Sequence, residues 1–210
     1  MMKHYLDTFL YGIMGGICIA LGGTAYLCAP NSILGATLFA IGLFTICTMG
    51  FNLYTGKVAY VFNNGLKYLL DVALIWLSNF CGAALVAALL AQTRLAGTLY
   101  AKAAPICALK LADGAWSLFI LGAFCNLMIF IAVDSFKNNE HPVGKYLGLL
   151  FGVVTFIFCG YEHSIADMFY FTAGDAWSLT SLGKLLVITI GNAAGGVLIP
   201  LVRLLHERFS

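Results

Sequence analysis

The residues best placed to do chemistry are Glu162, His163, Ser164 and Asp167, in the stretch Gly160-Tyr161-Glu162-His163-Ser164-Ile165-Ala166-Asp167. They interrupt an apolar run that reads from Leu147 to Phe171. Four polar groups therefore sit where a bilayer-spanning helix has its middle. In hydrocarbon an unsatisfied polar group is costly, so such residues face protein or a water-filled cavity, and an ionisable one is read first as functional. Histidine is the side chain whose ordinary pKa, about 6.5, lies near neutrality. His163 can thus offer a passing weak acid a hydrogen bond or a proton. Gly160 permits a break in the helix, as broken helices beside transport sites require. We read the stretch as the selectivity element of a transport protein. Two plainer readings stand beside this one: a histidine that bridges helices, and a Glu162 that satisfies backbone donors freed at the break.

The chain around this stretch is built for a membrane. Of 210 residues, 61% are hydrophobic and 10% charged, against about 45–50% apolar and about 25% charged in a soluble domain. A core of this length cannot hide so much apolar side chain, so the chain reads as an all-α, polytopic membrane protein embedded in a lipid bilayer. A net charge of +2, with no basic run, argues against nucleic acid. The seven cysteines lie scattered in apolar segments with no CxxC pair, so no metal site and no cofactor are expected. The four histidines, 4, 141, 163 and 206, are dispersed, which speaks against an enzyme. The apolar stretch from Thr8 to Cys28 is too long for the core of a signal peptide.

A spanning helix needs about 20 apolar residues. Six spans fit, roughly 8–28, 33–63, 68–92, 115–136, 145–172 and 183–205, in a single channel domain over residues 1–210. The second and fifth are longer than a bilayer requires, and each has a glycine-and-polar interruption. Gly50-Phe51-Asn52 in the second matches Gly160-Tyr161-Glu162 in the fifth as Gly-aromatic-polar. Three spans precede the midpoint and three follow, so the halves cross in opposite directions. This is an inverted 3+3 repeat, with a binding path where two broken helices meet. Glycines such as Gly12, Gly15, Gly16, Gly191, Gly195 and Gly196 read as close helix packing. Counting Lys and Arg favours cytoplasmic termini, which puts Lys3, Lys57, Lys67, Lys137, Lys145, Arg203 and Arg208 inside. Arg94, Lys102, Lys110 and Lys184 are then outside, and 93–114 is the longest loop.

Four runs resemble the formate/nitrite transporter family, pentameric anion channels with an aquaporin-like fold. Gly160 to Phe169 is similar to its signature Gly-[Phe/Tyr]-Glu-His-Ser-[Ile/Val]-Ala-Asn-Met-[Phe/Tyr], departing at Asp167. Asn52-Leu53-Tyr54-Thr55-Gly56 resembles its second-helix loop. Gly122-Ala123-Phe124-Cys125-Asn126-Leu127-Met128 and Ile190-Gly191-Asn192-Ala193-Ala194-Gly195-Gly196 resemble its fourth- and sixth-helix runs. The resemblance implies a homopentamer in the inner (plasma) membrane that passes small anions. It implies that His163 is the central pore histidine, Thr55 the threonine of the flexible loop, and Lys110 the lysine at the base of the outer vestibule. Leu43, Tyr54 and Ile129 would form the cytoplasmic constriction and Phe39, Leu53 and Phe156 the outer one. Asn126 and Asn192 would be polar pore-side residues. Only about seven residues precede the first span, an expectation against gating by the amphipathic N-terminal helix of some relatives. Tyr54 adds a hydroxyl to an apolar constriction, and Asp167 adds a carboxylate that disfavours anions unless it is paired.

The chemistry these residues would perform follows from charge burial. A bare anion between apolar collars costs many kcal/mol, so the favourable route is pairing or neutralisation. Lys110 would attract the anion. Desolvation further in favours the neutral acid, with His163 and Thr55 as hydrogen-bond or proton partners. Plainer roles exist for each: back-bonding for Thr55, snorkelling for Lys110 and packing for the aromatic collar. Formate and nitrite lead as substrates, with hydrosulfide, acetate and lactate behind. A neutral-solute pore of the aquaporin kind would need paired Asn-Pro-Ala boxes, and none of Pro30, Pro105, Pro142 and Pro200 lies in one. A non-transporting membrane assembly subunit is the third reading.

Overall fold

A computed structural model describes residues 2–209, all helix and connection with no strand. The order is α1 (Met2–Cys28), α2 (Ser32–Met49), α3 (Tyr54–Val58), a 3-10 turn (Val61–Asn63), α4 (Lys67–Leu90), α5 (Ala96–Ala112), α6 (Ala115–Asn138), α7 (Pro142–Phe158), α8 (Ser164–Ala173) and α9 (Leu179–Phe209). Helices α1, α2, α4, α6 and α9 are each long and apolar enough to cross a membrane. The expected second span is divided between α2 and α3, and the expected fifth between α7 and α8. The segment 93–114, expected as a loop, is instead largely the 17-residue helix α5. Its buried stripe, Leu99, Ala103, Cys107 and Lys110, recurs at helical spacing. It packs against α8, α1 and α9. Polar Thr98 and Lys102 and the interior Pro105 hide this helix from a search for bilayer-length apolar runs.

The two halves repeat each other's contacts. Helix α1 packs on α4 and α2, and its counterpart α6 packs on α9 and α7. Both breaks begin with a glycine in the left-handed region, Gly50 at φ 74° and Gly160 at φ 68°. A side chain would be strained at either position. The next amide reaches back five residues in both, Phe51 to the Ile46 carbonyl and Tyr161 to the Phe156 carbonyl. The amide after that crosses to the neighbouring helix, Asn52 to Tyr11 O at 3.1 Å and Glu162 to Leu121 O at 3.3 Å.

An asparagine then closes each break. In the first half, Asn79 of α4 donates from Nδ2 to Gly12 O (2.7 Å) and Asn52 O (2.8 Å), and its Oδ1 accepts from the Tyr54 amide at 2.8 Å. In the second, Asn192 of α9 donates to Gly122 O and Glu162 O, both at 2.8 Å, and accepts from the Ser164 amide at 2.9 Å. Every partner in the second set lies 110 positions after its counterpart: Gly12 and Gly122, Asn52 and Glu162, Tyr54 and Ser164. One amide side chain thus satisfies two backbone groups that each break leaves orphaned and ties them to a carbonyl of the neighbouring helix. The approach is close enough to require glycine one turn on. A Cβ at Gly82 would stand 2.1 Å from Ile13 O, and one at Gly195 would stand 1.8 Å from Ala123 O.

Asn79→Ala removes three hydrogen bonds to buried groups. At about 1–3 kcal/mol for each of the two break groups left unsatisfied, Asn52 O and the Tyr54 amide, it is expected to cost about 2 kcal/mol or more, read as a lowered unfolding midpoint in detergent. Asn64, whose side chain bonds Tyr60 O at an exposed site, is expected to tolerate alanine with a change below about 1 kcal/mol. Equal midpoints for the two variants would count against the clamp.

Candidate functional site

His163 is the N-cap of α8, and that position decides its chemistry. Its Nδ1 accepts the Ala166 amide at 3.1 Å, as a cap side chain satisfies an orphan donor in the first turn. A ring nitrogen that accepts from an amide carries no hydrogen, so the neutral ring holds its proton on Nε2. Nε2 lies 3.1 Å from Thr55 Oγ1, the first turn of α3, and donates to it. The Thr55 hydroxyl hydrogen is left free to donate in turn. Both residues are buried, His163 at 1% exposure. The Phe156 ring stacks on the imidazole with centroids 5.6 Å apart and planes at 20°. Phe39 crosses Phe156 edge-on at 6.0 Å. The structure therefore brings together His163 and Thr55, with the Phe156 ring stacked on the imidazole and Phe39 packed edge-on against Phe156.

Two clefts flank this centre. One, of about 100 Å³, is lined by Leu43, Leu53, Val133, Lys57 and Lys137. The other, of about 170 Å³, is lined by Tyr26, Lys110, Tyr161, Glu162 and Tyr170. Lys110 stands just before α6 begins and Lys137 in its last turn. Glu162 of the second cleft bonds Leu121 O, and Lys137 of the first lies 16 residues further along α6, roughly 24 Å at 1.5 Å per residue. The clefts thus open at opposite ends of the fold.

Several expected site residues sit differently from their expectation. Tyr54 is buried: its hydroxyl donates to Thr189 O of α9 at 3.0 Å, and it lines an apolar cleft with Trp76, Val72 and Leu186. Leu53 shares the Leu43 cleft, and Ile129 is buried one turn before Val133. The Glu162 carboxylate does not serve the broken backbone, whose donors go to Asn192 and Leu121. It bonds the Lys110 ammonium. Lys110 is buried rather than presented as a free cation, and it also pairs with Asp167 Oδ1 at 2.9 Å. Asn192 has both ends of its amide committed to the clamp. Asn126 donates to Asn192 O at 2.7 Å, while its Oδ1, Ser164 Oγ and Asp167 Oδ2 are buried without a partner among the described residues.

Sequence reasoning passed over Asn79, the counterpart of Asn192. The signal was present: Asn79-Phe80-Cys81-Gly82 and Asn192-Ala193-Ala194-Gly195 share Asn-x-x-Gly, in the third helix of each half. Among the described residues, no group of His, Cys, Asp and Glu is arranged to hold a metal ion.

Comparison with known proteins agrees with this architecture. The profile of the family described as formate/nitrite transporter matches residues 1–205. A probable formate transporter of Methanothermobacter thermautotrophicus is 28% identical, over 90% of this chain and 81% of its own length. The nitrite transporter NirC of Salmonella typhimurium is 29% identical, over 79% of this chain and 66% of its own. A solved pentameric formate channel with formate bound superposes with a TM-score of 0.85, covering 99% of both chains at 21% identity; at that identity it speaks to the fold. With the profile matching nearly the whole chain, this multi-pass membrane protein belongs to the formate/nitrite transporter family.

Proposed function

We propose that the protein is a passive channel for small monovalent weak acids, formate and nitrite first, in which the permeating species passes the centre in neutral form. The observation that carries the proposal is the buried His163–Thr55 pair with the Phe156 ring stacked on the imidazole. A neutral imidazole donating through Nε2, and a threonine hydroxyl with its own hydrogen to give, suit an acid or its anion as hydrogen-bond partners. The rings exclude the water that would solvate a charge. His163 acts as hydrogen-bond donor in this scheme. To release a proton it would first have to gain one at Nδ1, and that lone pair is engaged by the Ala166 amide. The proton that neutralises the substrate is then drawn from water in the cleft, where desolvation favours the neutral acid.

The Lys110 cleft is taken as the outer mouth and the Lys57–Lys137 cleft as the inner one, with both termini cytoplasmic in the inner membrane, as the distribution of Lys and Arg suggests. Lys110 contributes to the outer mouth as the centre of an ion cluster, its charge divided between two carboxylates. Assembly as a homopentamer, with one pore in each protomer, is supported by the likeness to the pentameric formate channel. The apolar cleft between α4 and α9, about 410 Å³ and lined by Tyr54, Trp76 and Leu186, suits a neighbouring protomer or lipid. Hydrosulfide and short-chain carboxylates form the second reading, favoured by the same neutral passage.

The test is uptake of formate, nitrite, hydrosulfide and chloride into proteoliposomes from about pH 5 to about pH 8, the range in which weak acids and histidine change charge. Weak-acid flux is expected to rise with acidity, with chloride excluded. His163→Asn, in a protein that still assembles, is expected to lower formate flux about tenfold, the loss of one buried hydrogen bond. Chloride passing as freely as formate would remove the neutral-passage scheme, and unchanged flux in His163→Asn would remove the role of His163.

A further inference from the structure

The cleft on the Leu43 side holds two cations and no carboxylate. Half-buried Lys57 of α3 and exposed Lys137 of α6 line it, among the apolar side chains of Leu43, Ile46, Leu53 and Val133. Val133 and Lys137 are one turn apart on α6 and so share a face. Val133 reaches within 3.8 Å of the place a Cβ would take at Gly56, so the walls that carry the two lysines meet there. The two ammonium groups repel each other, and the field of Lys137 extends to Cys47 on the α2 wall.

Nothing charged nearby balances this pair. Neither lysine has an ion-pair partner among the described residues. Asp134, on α6 beside Lys137, gives one carboxylate oxygen to each of two Arg203 nitrogens at 2.9 Å and accepts from Asn138 at 2.8 Å. Asp71 of α4 is engaged by His4 at 2.9 Å. Glu140, in the connection after α6, is exposed. Lys137 lies over the Tyr60 ring, 4.7 Å from its centre, and 3.4 Å from its hydroxyl, a neutral partner. Two like charges beside an apolar wall are relieved by an anion set between them.

We propose that this cleft is a binding site for a short dicarboxylate dianion and, resting on the channel reading above, that the bound dianion closes the inner mouth. Two ammonium groups match two carboxylates through charge-assisted hydrogen bonds, and the methylene between the carboxylates meets Leu43, Leu53 and Val133. The cleft volume of about 100 Å³ is room for about three waters at about 30 Å³ each, which suits malonate. A monocarboxylate leaves one lysine unbalanced, and phosphate turns oxygens toward the apolar wall. A dianion must take two protons to become neutral, so it cannot follow a weak acid through the centre. It stays at the mouth and blocks it.

Calorimetric titration of malonate into the purified, assembled protein near neutral pH and at low salt reads the site directly. Malonate is expected to bind about tenfold or more tightly than acetate, the gain of one charge-assisted hydrogen bond, and to weaken as salt rises. Lys57→Gln and Lys137→Gln are each expected to weaken it about tenfold, while Lys137→Arg, which keeps the charge, retains most of the affinity. Lys102→Gln, in a different cleft, is expected to bind malonate as wild type does. Acetate or phosphate binding as tightly as malonate overturns the assignment, as does unchanged malonate affinity when both lysines are replaced by glutamine. The acetate and phosphate comparisons need wild type alone, so they decide the matter even where a variant fails to assemble. In proteoliposomes, saturating malonate on both sides is expected to abolish formate flux, and undiminished flux overturns the block. Absence of formate flux without malonate, in a protein that still binds malonate, is a different failure, that of the channel reading, and leaves the site standing.

Discussion

Two interruptions of the backbone inside a bilayer are the constraint from which the rest of this structure follows. A helix satisfies its own amides and carbonyls, but Gly50–Leu53 and Gly160–His163 leave the helical ladder where no water from lipid can take its place. The answer is the same in both halves: one left-handed glycine, one amide reaching back, one amide crossing to a neighbouring helix, and one asparagine bonded three times. Each asparagine bonds main chain of two other elements, so it fixes the distance of α4 from α1, or α9 from α6. That distance is short enough that Gly82 and Gly195 can carry no side chain.

Function lies in how the halves differ on this common frame. At the 110-residue offset, apolar Leu53 corresponds to His163, Asn52 to Glu162 and Tyr54 to Ser164. The first break therefore presents an aliphatic wall to its cleft, and the second presents the Glu162 carboxylate to its own while the His163 imidazole meets Thr55. Thr55, one residue into α3, supplies the hydroxyl that meets His163 across the centre. A symmetric scaffold thus holds two unlike clefts, one apolar with two lysines and the other with an ion cluster. Capping links the scaffold to the chemistry directly. The amide of Ala166 that α8 must satisfy is the amide that holds the proton of His163 on Nε2.

Much of this was legible in the residues, because helix breaks in a membrane require glycine and polar groups and these stand out against apolar sequence. The all-helical membrane fold and the paired breaks at Gly50 and Gly160 rest on that contrast. What stayed hidden was pairing between distant positions. Lys110 reads as an ordinary cation near the end of a loop, since the carboxylates that engage it follow 52 and 57 positions later. Glu162 reads as a backbone partner until Asn192 is seen to occupy that role. Tyr54 reads as a collar residue, yet its hydroxyl needs an acceptor when buried and finds one at Thr189 O. Helix α5 is too short and too polar for a bilayer-length pattern, and its four-residue buried stripe emerges only against α8.

The central claim is that the substrate passes the Phe39–Phe156–His163 centre without net charge. The direct measurement is formate uptake into proteoliposomes with the membrane potential clamped at different values and the pH gradient held at zero. A potential of about 100 mV acts on a unit charge with about 2.3 kcal/mol, so a bare anion would respond strongly. The account predicts uptake that is independent of the sign and size of the potential. Uptake that accelerates when the interior is made positive and slows when it is made negative would contradict it, and would mean that the anion itself traverses the centre.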